Sequence, residues 1–307
     1  MSLLIVGTVA FDTIETPHGK VEKVIGGAGT YAGWAASYLH SDIRLVSIIG
    51  GDWPKSELQR MNARGIDTEG IKIVEDKKSF YWSGRYLENL IERETLITDL
   101  NVLADFDPIL PDSYRNSEFI LLGNLTPAIQ SSVIDQLESK PKLILLDTMN
   151  FWIDIAKDEL IDVIRRVDLL SINDEEARML SGEHNLVKAA EKIMKLGPRF
   201  LIIKKGEHGA LLFGDDHMFF APALPLNNIV DPTGAGDTFA GGLMGYLANQ
   251  SEINYEHVKQ GLVYGAAMGS FCVEDFSLEK IQNINSSEID ARIKAIQKLT
   301  TVDTAKL

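Results

Sequence analysis

Cysteine is almost absent from this chain: Cys272 is the only one among 307 residues. A single thiol forms no internal disulfide, and no cysteine-based metal cluster is available. The six histidines show no H-x-H or H-E-x-x-H spacing, which leaves a zinc site and histidine-based catalysis unsupported. Long apolar runs are missing too, for none approaches the roughly 18–20 residues of a membrane span. The opening stretch "MSLLIVGTVAFDT" lacks the basic region and cleavage site of a secretion signal. It reads as a first buried strand, and the expected location is cytoplasmic. Basic residues are outnumbered, 30 Lys and Arg against 44 Asp and Glu, for a formal net charge of −14. General nucleic-acid binding needs a cationic surface and is disfavoured, although backbone N–H groups still hold a phosphate on an acidic protein. No G-x-G-x-x-G follows the first strand and no G-x-x-x-x-G-K-[ST] occurs. A dinucleotide-dependent oxidoreductase and a Walker-type NTPase are therefore unsupported.

What is present is an alternation. "LLIV" (3–6), "IRLVSII" (43–49), "FILL" (119–122), "LILL" (143–146), "VDLLSI" (167–172) and "FLII" (200–203) are short apolar runs bounded by turn or charged residues. Helical patterns separate them at 27–40, 54–64, 127–139, 174–181 and 185–196. Strands apolar on both faces belong to a parallel sheet covered by helices. The expected fold is a three-layer α/β/α sandwich around a mostly parallel sheet, with ligands at the carboxyl ends of the strands. Two stretches, 13–25 and 79–103, alternate polar and apolar residues instead. They read as a small β-sheet outside the main layers, either a lid over a cleft or an antiparallel edge extension. Without repeats, low-complexity tracts or linkers, residues 1–307 read as a single domain carrying that insertion. From about 254 the chain reads as helical, with Ile289, Ile293, Ile296 and Leu299 on one face of a last helix.

The densest chemistry lies in "DPTGAGDTFAGG" (231–242). Phe239, Leu243, Met244 and Leu247 follow as one helical face, so the glycines sit at a helix N-terminus, where backbone N–H groups lack partners and the dipole is positive. Gly234 and Gly236 let the backbone approach an anion closely. Asp237, in the first helical turn, can take a proton from a hydroxyl held between itself and a phosphate. Phosphoryl transfer fits these parts. The plain alternative is a glycine-rich helix start whose aspartate satisfies its own end.

"DPTGAGD" resembles the second signature of the ribokinase (PfkB) family of carbohydrate and nucleoside kinases, D-T-x-G-A-G-D, with Pro232 in its second place. The resemblance implies that Asp237 is the base, that Gly234, Ala235 and Gly236 form the anion hole, and that Asp231 shapes the loop. It extends over nearly the whole chain. "GTVAFD" puts Asp12 where the family holds sugar hydroxyls, and "GGAGTYAGWAAS" from Gly26 and Gly27 matches the first signature on the substrate side. "SINDEEARMLSG" matches the family's N-x-x-E, with Asn173 near the phosphates and Glu176 near Mg²⁺, commonly through water. As i and i+3 neighbours that pair is otherwise a helix cap. "IIKKGEHGALLF" resembles the strand and turn whose Gly206 and Gly209 lie against the nucleotide, and Thr233 completes that set.

Three positions depart from the pattern. Tyr31 stands where the first signature usually carries a sugar-contacting asparagine, with Trp34 one turn later as an extension of its surface or as core. Lys204 stands where many members have threonine and either contacts a phosphate or snorkels to solvent. "GAAMGSFCVEDFS" resembles the adenine-side segment only loosely. In the lid stretch, Phe80, Tyr81, Trp82, Arg85 and Arg93 offer aromatic and cationic groups, with Arg85 the leading candidate for a substrate contact. The plain alternative is that they bury one face of the lid sheet or pair with a second subunit. The implied activity is ATP-dependent transfer of the γ-phosphate to a hydroxyl of a sugar or sugar-like polyol. The alternative is a nucleoside kinase of the adenosine type on the same fold. Mg²⁺ is the implied cofactor, a monovalent cation a second candidate, and a homodimer through the lid the family's expectation.

Overall fold

The computed structural model describes residues 1–301. The main sheet is built from β1 (Leu3–Val6), with the small sheet's β2 (Ala10–Thr16) and β3 (Gly19–Gly26) interposed before β4 (Ile43–Gly50), β5 (Ile66–Asp67) and β6 (Ile71–Val74). A second pair, β7 (Phe80–Tyr86) and β8 (Arg93–Asp99), completes the small sheet. The chain then returns to the main sheet through β9 (Phe119–Leu122), β10 (Leu143–Asp147), β11 (Leu169–Asn173), β12 (Phe200–Lys204), β13 (Ala210–Gly214) and β14 (His217–Ala221). The main order is β14-β13-β12-β11-β10-β9-β1-β4-β5, with β6 paired to β4. Pairings from β12 through to β5 are parallel, and only the β12–β13 and β13–β14 pairings are antiparallel.

Alternation along the strands explains the layers. Leu3, Ile5, Leu121, Leu145 and Ile202 enter one core, while Leu4, Val6, Leu122, Leu146 and Ile203 enter the other. Successive side chains of a strand point to opposite faces, so an all-apolar strand needs cover on both sides. One face is covered by α1 (Ala28–Ala36), α2 (Lys55–Ala63), α8 (Ala235–Leu247) and α9 (Tyr255–Cys272). The opposite face carries α3 (Pro127–Asp135), α4 (Asn150–Ile155), α5 (Lys157–Ile164), α6 (Asp174–Ser181) and α7 (Leu186–Met194). A third cluster seats α10 (Ser286–Lys298) against α1 and α9 through Ile289, Ile293 and Ile296. Leu299 departs from expectation: it follows the last helical residue and is exposed, so it adds nothing to that face. Emptying a central position such as Leu145, wholly buried, would cost about 2–5 kcal/mol as Leu→Ala. Thr126, Asn173, Asn185, Asn254 and Asn285 cap their helices, each worth about 1 kcal/mol.

The small sheet has the order β3-β2-β7-β8: two antiparallel hairpins joined by a parallel β2–β7 pairing. Its first strand begins at Ala10, earlier than the alternation at 13 indicates, so Asp12 belongs to this sheet. The stretch to 103 overruns β8 into a 3₁₀ turn at Asn101–Asp105. From β1 the chain moves to β4 on one side, and from β9 it proceeds through β10 to β12 on the other. The crevice of such a sheet opens at the carboxyl ends where the order reverses.

Candidate active site

Asp231, almost fully buried, accepts the N–H of Thr233 at 2.8 Å and that of Ser277 at 3.3 Å. Those two bonds tie the loop before α8 to the segment after α9. Gly234 then adopts a left-handed conformation (φ 74°) as the N-cap of α8. A β-carbon there would lie 2.5 Å from the Tyr31 ring, so glycine is required twice over. Ala235 donates to the Pro232 carbonyl and Thr238 to that of Gly234. The N–H of Gly236 has no backbone acceptor among the described residues. The positive end of α8 thus presents a free donor beside Asp237, its only first-turn acid.

Asp237 is half-buried. Desolvation, then the charge of Asp147, lifts its carboxyl to about 7 against the opposing pull of Lys204 and Arg93. A general base works best near the ambient pH, and this environment tunes a carboxylate to it. Asp12 is driven to about 7 as well, by burial and then by Asp231 and Asp237, while the Gly27 N–H and Arg93 oppose the shift. Gly26 has no room for a side chain because the Asp12 carboxylate occupies the space. Gly27 (φ 96°) opens α1 with its backbone against Thr8.

The other half of the site comes from three adjacent strand ends. Asp147, Asn173 and Lys204 are the last residues of β10, β11 and β12, and Asn173 and Lys204 are register partners. Lys204 Nζ donates to both oxygens of Asp147, at 2.8 and 3.0 Å. A β-carbon on Gly236 would stand 3.4 Å from that ammonium, which puts Lys204 beside the free N–H donor. Desolvation alone would lower the lysine, but Asp147, Glu176 and Asp237 more than offset it and keep it charged. Asn173 and Glu176 form a capping box: Asn173 Oδ1 accepts the Glu176 N–H and Glu176 Oε2 accepts the Asn173 N–H, both at 2.8 Å. Burial raises Glu176 to about 7, with Lys204 opposing. Gly206 leaves open space where a side chain would be, whereas Gly209 (φ 94°) abuts the Ala221 carbonyl and packs the sheet edge.

The family model of the pfkB family carbohydrate kinases matches residues 2–282. The chain belongs to this family. It is 28% identical over 251 residues to the cytidine kinase of Thermococcus kodakarensis, covering 80% of this chain and 88% of that one. The fold is similar to that of a Burkholderia thailandensis nucleoside kinase in complex with inosine, at TM-score 0.75 and 20% identity over 96% of this chain and 98% of that one. It is also similar to an E. coli chain assigned as a ribokinase II in complex with ATP and Mg²⁺, at TM-score 0.78 and 18% identity over 95% and 99%. As a PfkB enzyme the protein is a phosphotransferase with an alcohol group as acceptor. No helix among its described residues is long and apolar enough to cross a membrane.

Two residues of the PfkB kinase sit elsewhere than the sequence suggests. Tyr31 is 1% exposed and supports the Gly234 turn from beneath, offering the cleft no surface. Arg85 forms an exposed ion pair with Glu15 at 2.9 Å. Asp12 pairs with Trp82 across β2–β7 and Glu15 with Arg85 three residues on, so Arg85 lies on the opposite face of the small sheet from Asp12. Arg93 is the arginine that reaches the site. It pairs with Tyr86 across β7–β8, lies 5.4 Å from the Trp82 ring, and bears on both Asp12 and Asp237. Trp34 is core. Thr233 is held from both sides, its hydroxyl donating to Tyr86 Oη at 3.3 Å and its carbonyl accepting from Cys272 Sγ at 3.3 Å. Asp147 went unnoticed in the sequence. Its signal was there, a carboxylate ending the buried run "LILLD", as Asn173 and Lys204 end theirs.

Proposed function

We propose that this PfkB kinase transfers the γ-phosphate of ATP to a ribose hydroxyl of a nucleoside. The observation that carries the acceptor class is the Trp82 ring, which folds over Gly84 on the Asp12 face of the small sheet, with Tyr86 and Arg93 alongside. A flat aromatic surface opposite a hydroxyl-binding carboxylate suits a molecule that is half sugar and half planar base. The similar cytidine kinase, and the similar nucleoside kinase in complex with inosine, support the same reading. A free sugar remains the second reading, favoured by the family's carbohydrate kinases.

In this scheme Asp12 orients the ribose and Asp237 accepts the proton of the attacking hydroxyl. The new O–P bond forms as the bond from the γ-phosphorus to the bridging oxygen breaks, and ADP leaves. The Gly236 N–H and the α8 dipole take up charge on the transferring group. Among the described residues no three His, Cys, Asp or Glu converge into a metal cage. Glu176 fits a water-mediated role, since one carboxylate oxygen lies outside its bond to Asn173. A Mg²⁺ bound there with the nucleotide would neutralise phosphate charge. The small sheet acts as a lid that excludes water and so suppresses ATP hydrolysis. The exposed Leu96 and Ile97 of β8 support a lid-to-lid homodimer, which light scattering of the purified protein tests directly.

ADP release with Mg-ATP and a panel of cytidine, uridine, inosine, adenosine, ribose and fructose tests the acceptor. Turnover with a nucleoside and little with the free sugars is expected. Turnover with sugars alone would sink the nucleoside reading and leave the kinase standing.

A further inference from the structure

We infer that Asp147 is a positioning residue: it holds the Lys204 ammonium beside the Gly236 turn, where that cation meets the terminal phosphate of the bound nucleotide. The inference rests on the reading of the α8 turn as the phosphate site.

Lys204 and Asp147 are 19% and 8% exposed at the side chain, and both carboxylate oxygens engage the ammonium. Burying such a pair is poor economy for a fold, because the desolvation of two charges offsets most of their attraction. Apolar residues of like volume would hold the ends of β10 and β12 at least as well. The pair also has competition. The charges of Glu176 and Asp237 also act on the same ammonium, although only Asp147 bonds it. Without Asp147 the ammonium would be free to turn to Glu176 or to Asp237, and pairing with Asp237 would neutralise the group that must accept a proton. Bidentate attachment to Asp147, anchored on a neighbouring strand, keeps the cation off the base and on the side of the free Gly236 N–H. Strand ends fix such a geometry better than loops do.

The test compares binding of Mg-ADP and Mg-AMPPNP by calorimetry, which needs neither an acceptor nor turnover. Lys204→Met should weaken Mg-AMPPNP about 10- to 100-fold, the range of a charge-assisted hydrogen bond, and change Mg-ADP by less than about threefold. Asp147→Asn should weaken Mg-AMPPNP in the same selective way, and Lys204→Arg should restore part of the loss. The double variant D147N/K204M should match K204M alone, since Asp147 acts through Lys204. That double variant removes both charges of the pair and strands no Asp147 carboxylate, so it serves even where K204M folds poorly. Equal losses for ADP and AMPPNP, or a further loss when D147N is added to K204M, would overturn the proposal. A wild-type protein that binds both nucleotides while K204M keeps its selectivity overturns this proposal alone. A wild-type protein that binds neither removes the phosphate site itself and the proposal with it.

Discussion

A single methyl group on Gly236 separates the chemistry of the α8 turn from its contribution to the fold. Gly236 is the second residue of α8, and its φ is not among the positive ones. A β-carbon there would meet only Lys204 Nζ, at 3.4 Å, which is ordinary contact. Alanine exceeds glycine in a helix by about 0.8–1.0 kcal/mol at interior positions and by less near an end. Gly236→Ala should therefore melt at the same temperature as the wild type or slightly above it. The same methyl would stand between the free N–H and a phosphate approaching it. Loss of one such donor elsewhere costs about 10²–10³ in kcat, and displacement of the phosphate should reach about 10².

Two other glycines calibrate the result. Gly234→Ala combines left-handed strain, about 1–2 kcal/mol, with a 2.5 Å overlap on the Tyr31 ring worth about 1–3 kcal/mol more. It should lose stability and activity together. Gly182, at the far end of α6, has a similar φ of 72° and nothing within 4 Å of its would-be β-carbon. Gly182→Ala should pay the strain alone and keep full activity. The assay is ADP release with the best nucleoside acceptor, with thermal melting of each variant alongside. A Gly236→Ala enzyme with wild-type kcat would refute the placement of the transferring phosphate at this turn.

Asp237→Asn should keep nucleotide binding and lower kcat by about 10²–10⁴, and a smaller loss would remove the base assignment. Because its carboxyl is lifted to about 7, the wild-type kcat/KM should fall about tenfold per pH unit below that value, whereas a flat profile between pH 5 and 8 would contradict the base role. Asp12 has a folded pKa of about 7 against an ordinary 3.8, so its ionisation destabilises the fold increasingly as pH rises from about 4 to 7 and constantly above. Asp12→Asn should accordingly raise the melting temperature at pH 8, relieving up to about 4 kcal/mol, leave it unchanged near pH 4, and abolish acceptor binding; an unchanged melt at pH 8 would mean the burial cost is misjudged. Arg93→Ala should raise the acceptor KM about tenfold while Arg85→Ala leaves the kinetics as they are, and the reverse pattern would invert the assignment of the lid faces.

That last pair of variants marks where reading by sequence stops. Buried parallel strands announce themselves because both faces must be apolar, and "LLIV", "FILL" and "FLII" coincide with β1, β9 and the body of β12. The α8 turn is legible for a related reason: glycines and a carboxylate at a helix start are confined to a few bonds, so local sequence contains the whole arrangement. The small sheet is different. Its strands carry mixed residues on both faces, and the β7–β8 register shifts between Ser83 and Gly84. One residue of slip exchanges the two faces of a strand, so no alternation in "SFYWSGRYLENLIERETLITDL" distinguishes Arg93 from Arg85. Tyr31 fails in the same manner, since only the approach of α8 to α1 decides whether that helix position faces a cleft or, as here, a glycine turn. Asp147 shows the converse. Three polar residues ending three apolar runs are visible in the sequence, but their convergence depends on β10, β11 and β12 being neighbours, which is a property of the sheet order. In the proposed scheme the residues that follow from local constraint form the phosphate turn, and those that follow from strand order and register face the acceptor and hold Lys204. On that scheme acceptor specificity rests on the part of the sequence that only topology makes readable.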